Sequence, residues 1–160
     1  MKIEKKGVLE AIGNTPLVKL ENVIDNPGVT IYAKLEGNNP GGSIKDRPAY
    51  YMIKKAEESG QLTPDKIIIE PTAGNTGIAI AMIGAVKGYK VKLFMPESLS
   101  MERQLTLRAF GAEVVLTPAK EATDGAIRRA HKALNAEPGR YYMPNQFDNP
   151  NNILSHYETT

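Results

Sequence analysis

The sequence contains no cysteine among its 160 residues. This excludes a disulfide framework, a zinc–thiolate site, an iron–sulfur cluster and a thiol nucleophile. It also lacks a long apolar run, because the longest one, near residues 78–86, is far shorter than the roughly 20 residues needed to cross a bilayer. The first six residues carry no apolar segment of the signal-peptide type. We therefore expect a cytoplasmic protein with no membrane association.

An excess of either charge is also missing. Lys and Arg number 20 against 18 for Asp and Glu, giving a formal net charge of +2. No basic run with interleaved aromatic residues occurs, so we expect no nucleic-acid partner. The two histidines, His131 and His156, have no neighbours at metal-ligand spacing, so we expect no metal site. With 41% hydrophobic and 24% charged residues, the composition is that of an ordinary globular domain.

Predicted strands and helices alternate along most of the chain. Strand patterns occur at residues 17–20, 30–35, 66–69, 90–95, 113–116 and 141–143, and helix patterns at 8–12, 44–59, 75–87, 100–110 and 123–136, with a further helix starting near 149. Glycines at the expected helix ends, Gly60, Gly88 and Gly111, support these boundaries. Such alternation with short connections predicts an α/β fold, a parallel sheet with helices on both faces.

Residues 39–47 read Asn-Pro-Gly-Gly-Ser-Ile-Lys-Asp-Arg and join a glycine turn to a predicted helix. Ser43 is expected to be the N-cap, with Asp46 completing a capping box, which would put Lys45 in the first turn. The positive end of the helix dipole disfavours an ammonium group there, and a deprotonated lysine can form a Schiff base with a carbonyl. Taken alone, the motif is more often a solvated lysine on an amphipathic helix.

Residues 70–77 read Glu-Pro-Thr-Ala-Gly-Asn-Thr-Gly and lie between a predicted strand and a predicted helix. In a parallel sheet, ligands bind at the carboxyl ends of strands. The helix N-terminus, the hydroxyls of Thr72 and Thr76 and the amide of Asn75 together suit a carboxylate. The glycine spacing matches neither the dinucleotide nor the P-loop pattern. An ordinary strand-to-helix connection remains the alternative on this motif alone.

A third stretch, residues 144–151, reads Pro-Asn-Gln-Phe-Asp-Asn-Pro-Asn. In this order and spacing, the three stretches resemble the cysteine synthase and cystathionine β-synthase family of pyridoxal-phosphate enzymes. That family has the fold-type II architecture of the tryptophan synthase β-subunit. Shorter matches at residues 12–17, 95–103, 110–113 and 156–160 extend the resemblance over nearly the whole chain.

The resemblance implies a cofactor, pyridoxal 5′-phosphate, and a set of site residues. Lys45 would hold the cofactor as a Schiff base and act as acid and base at the substrate Cα. Asn75 would hydrogen-bond the 3′ oxygen of the cofactor ring. The carboxylate of a small amino-acid substrate would be bound by the segment Thr72, Ala73, Gly74, Asn75 and Thr76, together with Gln146.

The implied reaction is β-replacement on O-acetylserine, with sulfide as acceptor and cysteine as product. Family loops commonly carry serine where this chain has Ala73, and the Thr-Ala-Gly-Asn variant occurs in O-acetylserine-dependent cystathionine β-synthases. Homocysteine is therefore an alternative acceptor. A non-catalytic amino-acid-binding module and a serine or threonine dehydratase of the same fold are further alternatives.

Family members are longer than this sequence, so the chain resembles their N-terminal half. A Gly/Ser/Thr-rich loop around the cofactor phosphate and a later hydroxyl near the pyridine nitrogen are not present in it. The resemblance divides the chain into strands of a large domain (1–38), a small α/β domain (39–145) and the start of the rest of the large domain (146–160), truncated here. Residues 17–35 would then expose apolar surface. It also implies a homodimer at full length and leaves open whether this half acts alone.

Overall fold

The computed structural model describes residues 7–72 and 74–160. Within them, the strands are β1 Leu17–Leu20, β2 Ile31–Lys34, β3 Ile67–Pro71, β4 Val91–Pro96, β5 Glu113–Thr117 and β6 Tyr141–Tyr142. The helices are α1 Asp46–Glu58, α2 Asn75–Lys87, α3 Met101–Ala109, α4 Ala122–Ala136 and α5 Pro150–Thr159, with 3-10 turns at Val8–Ala11, Glu36–Asn38 and Ala119–Glu121. No helix in this part of the chain has the length and apolarity to cross a membrane.

Four strands form one parallel sheet in the order β5, β4, β3, β6. The three strand-to-strand connections carry α2, α3 and α4 in turn. This is the βαβ architecture, in which a crossover helix returns the chain to the same edge of the sheet. The prediction of a parallel sheet in an α/β fold is confirmed.

Each face of this sheet has its own hydrophobic core, because successive strand residues point to opposite faces. Ile68 and Leu93 pack with residues of α1, α2 and α3. Ile69 and Phe94 pack on the other face, against Ala126 and Ala130 of α4. With helices on both faces, the predicted layer order is confirmed.

The first two strands form a separate antiparallel pair, in which Leu17 is opposite Lys34 and Leu20 is opposite Ile31. This hairpin exposes apolar side chains, with Leu17 at 62% and Tyr32 at 58%. Helix α5 is similar, since Ile153 is 76% exposed. Apolar surface is therefore concentrated on the two segments that flank the four-stranded sheet in sequence.

The predicted capping of α1 is wrong. The helix begins at Asp46, and Lys45 is its N-cap residue. The Ser43 hydroxyl accepts a hydrogen bond from the amide of Lys45 (3.1 Å). The Asp46 carboxylate accepts from the amide of Gly41, so it closes the glycine turn instead of a capping box. Asp46 turns back because Gly41 leaves room for it: a Cβ on Gly41 would overlap the carboxylate.

Candidate active site

Thr72 lies at the carboxyl edge of the sheet, between the end of β3 and the start of α2, and is 5% exposed. Its hydroxyl oxygen accepts hydrogen bonds from the amides of Gly77 (3.1 Å) and Gly74 (3.4 Å). These bonds satisfy donors that the first turn of a helix would otherwise leave unpaired. Because the oxygen acts as acceptor in both, the hydroxyl proton can be donated to a ligand.

Thr76 and Gln146 meet at the same helix N-terminus, although they are 70 residues apart in sequence. The Thr76 hydroxyl donates to Oε1 of Gln146 at 2.7 Å. This leaves the Gln146 amide nitrogen as a donor at the N-terminus of α2. Asn75, the first residue of the helix, is exposed at the same end. Hydroxyl and amide donors at a helix N-terminus form an arrangement suited to a carboxylate.

A buried carboxylate holds the loop that carries Gln146. The two oxygens of Glu70 accept from the amides of Asn145 (2.9 Å) and Gln146 (3.1 Å), and Glu70 is fully buried at the end of β3. Burial raises the pKa of Glu70 to about 7, against the opposing effect of the Gln146 and Asn145 amides. The carbonyl of Gln146 also accepts from the Asn152 side chain (2.8 Å). The backbone on both sides of the Gln146 side chain is thus fixed.

Lys45 is half-buried at the N-terminus of α1. Within the described residues, its amine makes no hydrogen bond or ion pair. Helix α5, which packs against α1, brings His156 near it. Burial lowers the pKa of His156, and the charges of Lys45 and Arg47 lower it further. A half-buried amine without a partner is chemically available to a carbonyl compound.

Arg47 anchors the lysine loop, the segment of residues 39–47 that carries Lys45. Its guanidinium is almost fully buried and donates to the Glu36 carboxylate through Nε (2.6 Å) and Nη2 (2.8 Å). It also donates to the Thr15 hydroxyl (3.0 Å) and to the carbonyl of Thr159. The bond from Arg47, with those from Thr15 and Asn39, lowers the pKa of Glu36 to about 2 despite its burial. One cation therefore ties α1 to the segment before β1, to the turn after β2 and to the end of α5.

The structure brings some of the predicted site residues together and leaves one apart. Thr72, Thr76 and Gln146 converge at the N-terminus of α2, where Gly74 is the N-cap and its carbonyl accepts from Gly77. Ala73 lies outside the described residues. No hydrogen bond joins Lys45 to this group in the part of the chain that the structure describes. The binding roles assigned to all these residues remain predictions.

Glu70 and Arg47 both lie in the sequence motifs, but the motifs alone assign neither of them a role. Each has a recognisable signal, since Glu70 is a charged residue at the end of the apolar strand Ile67–Pro71 and Arg47 follows a helix start. Long charged side chains in such positions need a buried partner. Among the described residues, no group of three His, Asp or Glu side chains is arranged to hold a metal ion.

Comparison with known proteins agrees with this fold. Residues 8–160 match the model of the family described as pyridoxal-phosphate dependent enzyme, and the chain belongs to that family. Its sequence is 52% identical over 153 residues to a cysteine synthase of Staphylococcus aureus, an alignment that covers 96% of this chain and 49% of the relative. The predicted family and the pyridoxal-phosphate class are confirmed.

Solved structures give the same result. A cysteine synthase from Entamoeba histolytica superposes with a TM-score of 0.92 at 44% identity, over 98% of this chain and 47% of the other. An O-acetylserine-dependent cystathionine β-synthase from Helicobacter pylori has a TM-score of 0.88 at 42% identity, over 99% and 52%. The fold-type II assignment is confirmed, and the chain spans about half the length of the relatives that it matches.

Proposed function

We propose that this chain carries the lysine and the carboxylate site of a pyridoxal-phosphate enzyme that makes cysteine from O-acetylserine and sulfide. The observation that carries the proposal is the convergence of Thr72, Thr76 and Gln146 at the N-terminus of α2. The similarity to cysteine synthases supports the choice of substrate.

The residues present fit the cofactor. Lys45 offers a half-buried amine, and its loop is fixed from two sides by Asp46 and Arg47. When bound, pyridoxal phosphate supplies an aldehyde for that amine and an electron-poor ring that stabilises negative charge at the substrate Cα. We assign to Asn75, which is exposed at the site, a hydrogen bond to the 3′ oxygen of that ring.

The chain's own residues orient the substrate and move its proton. The hydroxyl proton of Thr72, the side-chain amide of Gln146 and the first amides of α2 donate to the carboxylate, with Ala73 and Gly74 contributing backbone. Holding the carboxylate at several points limits rotation about the Cα and lowers the entropic cost of reaching the transition state. Lys45 then removes the proton at Cα, which allows acetate to leave Cβ and a sulfur nucleophile to add there.

The first experiment measures covalent attachment of the cofactor. The 160-residue chain is incubated with pyridoxal phosphate, reduced with borohydride and mapped by peptide mass spectrometry, with visible absorption recorded before reduction. We expect attachment at Lys45, and none in Lys45→Ala. Lys54→Ala is the matched control, because Lys54 lies on the same helix with its side chain 54% exposed, and it should attach cofactor as the wild type does.

Three outcomes would contradict the proposal. Equal labelling of wild type and Lys45→Ala would mean that the attachment is non-specific. Absence of labelling in the wild type would mean that this chain does not hold the cofactor by itself, as the alternative of a non-catalytic amino-acid-binding module requires. Pyruvate released from serine by the loaded protein, without use of sulfide, would identify the dehydratase alternative.

Ala73 favours homocysteine as a second candidate acceptor. A serine at this position would put a hydroxyl into the substrate loop, and its absence changes the polarity that the incoming nucleophile meets. Turnover of O-acetylserine with sulfide and with homocysteine should therefore be compared in the wild type and in Ala73→Ser. A strong preference of the wild type for sulfide would exclude the homocysteine reaction.

For the whole protein, we propose the division inferred from the resemblance: large-domain strands at 1–38, a small domain at 39–145 and a return to the large domain at 146–160. The separate sheet of β1 and β2 and the exposed apolar side chains of the hairpin and α5 support it. We further propose a homodimeric, cytoplasmic enzyme. Sedimentation analysis of the full-length protein would test the dimer, and a monomer at micromolar concentration would contradict it.

A further inference from the structure

Glu70 is a fully buried carboxylate whose hydrogen-bond partners are backbone amides. Both amides belong to the loop after β6, and one of them is the amide of Gln146 itself. A charge placed at the end of a buried strand is costly unless it is paired or hydrogen-bonded. An apolar residue would satisfy the packing of this strand, so packing does not explain why a carboxylate is found at this position.

The backbone conformation of the loop after β6 explains the carboxylate. Asn145 has a φ of 51°, in the left-handed region that non-glycine residues rarely adopt. Successive amides around such a residue point to one side and form a concavity that binds anions. Here the anion is the side chain of Glu70, which accepts from both amides at once. The carboxylate thus stabilises a backbone conformation that would otherwise be unfavourable.

The same conformation sets the position of the Gln146 side chain. Its Oε1 meets the Thr76 hydroxyl at 2.7 Å. We infer that ionised Glu70 is the positioning residue of the carboxylate site, which holds the amides of Asn145 and Gln146 and so aligns Gln146 with Thr76. The inference rests on the proposed function, because it takes Gln146 as a ligand for the substrate carboxylate.

Protonation would weaken this arrangement. A neutral carboxyl group keeps one good acceptor oxygen, so one of the two amides loses its partner. The pKa of Glu70, raised to about 7, places this change near neutrality. Tyr142 on β6 faces Glu70, and its pKa is raised to about 12 by burial and by the Glu70 charge, so it stays neutral throughout. The other elements packed on this face, α1, α2 and β4, bring Ala49, Ala79 and Leu93, which do not titrate.

The direct test is an NMR titration of the ¹⁵N-labelled chain without cofactor. We expect the amide protons of Asn145 and Gln146 to shift together, with a single midpoint near pH 7, as Glu70 loses its proton. In Glu70→Gln the two shifts should be independent of pH, because an amide cannot ionise. Glu57→Gln is the matched control, since Glu57 pairs with Lys87 (2.8 Å) away from the site. Flat amide shifts in the wild type would overturn the inference without any variant.

The second readout is the binding of L-serine to the cofactor-loaded chain, which is measured by calorimetry. From about pH 8 to about pH 5.5, wild-type affinity should fall roughly fivefold to tenfold more than that of Glu70→Gln. Burial lowers the pKa of His156, and this residue is present in both proteins, so the difference between them cancels its effect. Glu70→Gln should bind at any pH as the wild type does at low pH. Equal affinity of the two proteins at about pH 8 would overturn the inference.

The two readouts separate this inference from the proposed function. Failure of the wild type to bind serine at any pH would contradict both. Serine binding with flat amide shifts would overturn the inference alone. A purely structural role for Glu70 would change the stability of the protein but would not make the amide shifts and the serine affinity titrate together.

Discussion

Two glutamates hold the two loops of the candidate site, Glu36 partly buried and Glu70 fully buried, and their environments are opposite. Glu36 pairs with the Arg47 guanidinium, and its pKa falls to about 2. Among the described residues, the hydrogen-bond partners of Glu70 are backbone amides, and burial raises its pKa to about 7. The cationic partner keeps Glu36 ionised at any physiological pH, whereas two amide donors do not offset the desolvation of Glu70, whose carboxyl group therefore titrates. The lysine loop is therefore anchored permanently, and the Gln146 loop conditionally.

The largest expected effect comes from removing the cation of the permanent anchor. Arg47→Met removes an almost fully buried guanidinium and leaves the partly buried Glu36 carboxylate without its partner, so we expect a loss of about 3–5 kcal/mol in the free energy of unfolding. Urea denaturation at neutral pH measures it. Arg128→Met is the control, because the Arg128 side chain is 64% exposed and its ion pair with Glu121 is a surface one, and its loss should stay below about 1 kcal/mol. Equal stability of Arg47→Met and wild type would show that the pair does not anchor the loop.

The second effect is a dependence of stability on pH that has opposite signs for the two glutamates. The pKa of Glu70 is higher in the folded state than its usual 4.5, so its contribution is fully present below about pH 4.5 and is lost as pH rises through 7. The contribution of Glu36 is present above about pH 4.5 and is lost as pH falls towards 2. Between about pH 5 and pH 8, stability of the wild type relative to Glu70→Gln should fall by about 3 kcal/mol. Parallel curves for the two proteins would contradict the shifted pKa.

The third effect concerns the contact that fixes the Thr72 hydroxyl. A Cβ on Gly77 would lie 2.6 Å from Cγ2 of Thr72, so Gly77→Ala must displace the threonine or the start of α2. We expect a loss of about 1–3 kcal/mol in stability together with weaker serine binding. Gly139→Ala, where nothing lies within 4 Å of the added Cβ, should change neither. Thermal denaturation and calorimetry measure the two quantities, and unchanged serine binding in Gly77→Ala would argue against a role for Thr72.

The smallest effect is expected for the bond between the two loops of the carboxylate site. Thr76→Val removes the hydroxyl that donates to Gln146 at 2.7 Å. We expect a loss of about 1 kcal/mol in stability and a decrease in serine affinity of up to about tenfold. Thr106→Val is a suitable control, because the Thr106 hydroxyl donates to the carbonyl of Glu102 in its own helix, α3. Serine affinity that stays at the wild-type value in Thr76→Val would remove Thr76 from the proposed site.

Much of the fold was predictable from local pattern. The predicted bounds of β1 and α2, residues 17–20 and 75–87, agree with the structure, and the other strands and helices differ by one or two residues at one or both ends. Gly88 ends α2 with a φ of 81°, as its position suggested. Periodicity and punctuation by glycine are properties of neighbouring residues, so they can be recognised without knowledge of the tertiary structure.

What could not be predicted depends on partners that are distant in sequence. Ser43 and Asp46 have the spacing of a capping box, yet Asp46 bonds Gly41 because the glycine turn folds back over it. The role of Glu70 depends on the backbone of residues 145 and 146, which only the pairing of β6 with β3 brings close. Local spacing predicted which polar residues lie near a helix start. It did not predict which acceptor each donor meets.

The bridge between Glu70 and Asn145 also constrains the order of folding. It closes a loop of 75 residues, and closure of such a loop has an entropic cost that is recovered only when the contacts at its ends form. The segments α2, β4, α3, β5 and α4 lie between Glu70 and the Gln146 loop in sequence. The loop reaches its position once these segments have formed and β6 has joined the sheet. During synthesis on the ribosome, the carboxylate site is thus among the last features of the sheet domain to assemble, and amino-acid binding reports a sheet domain that has completed its folding.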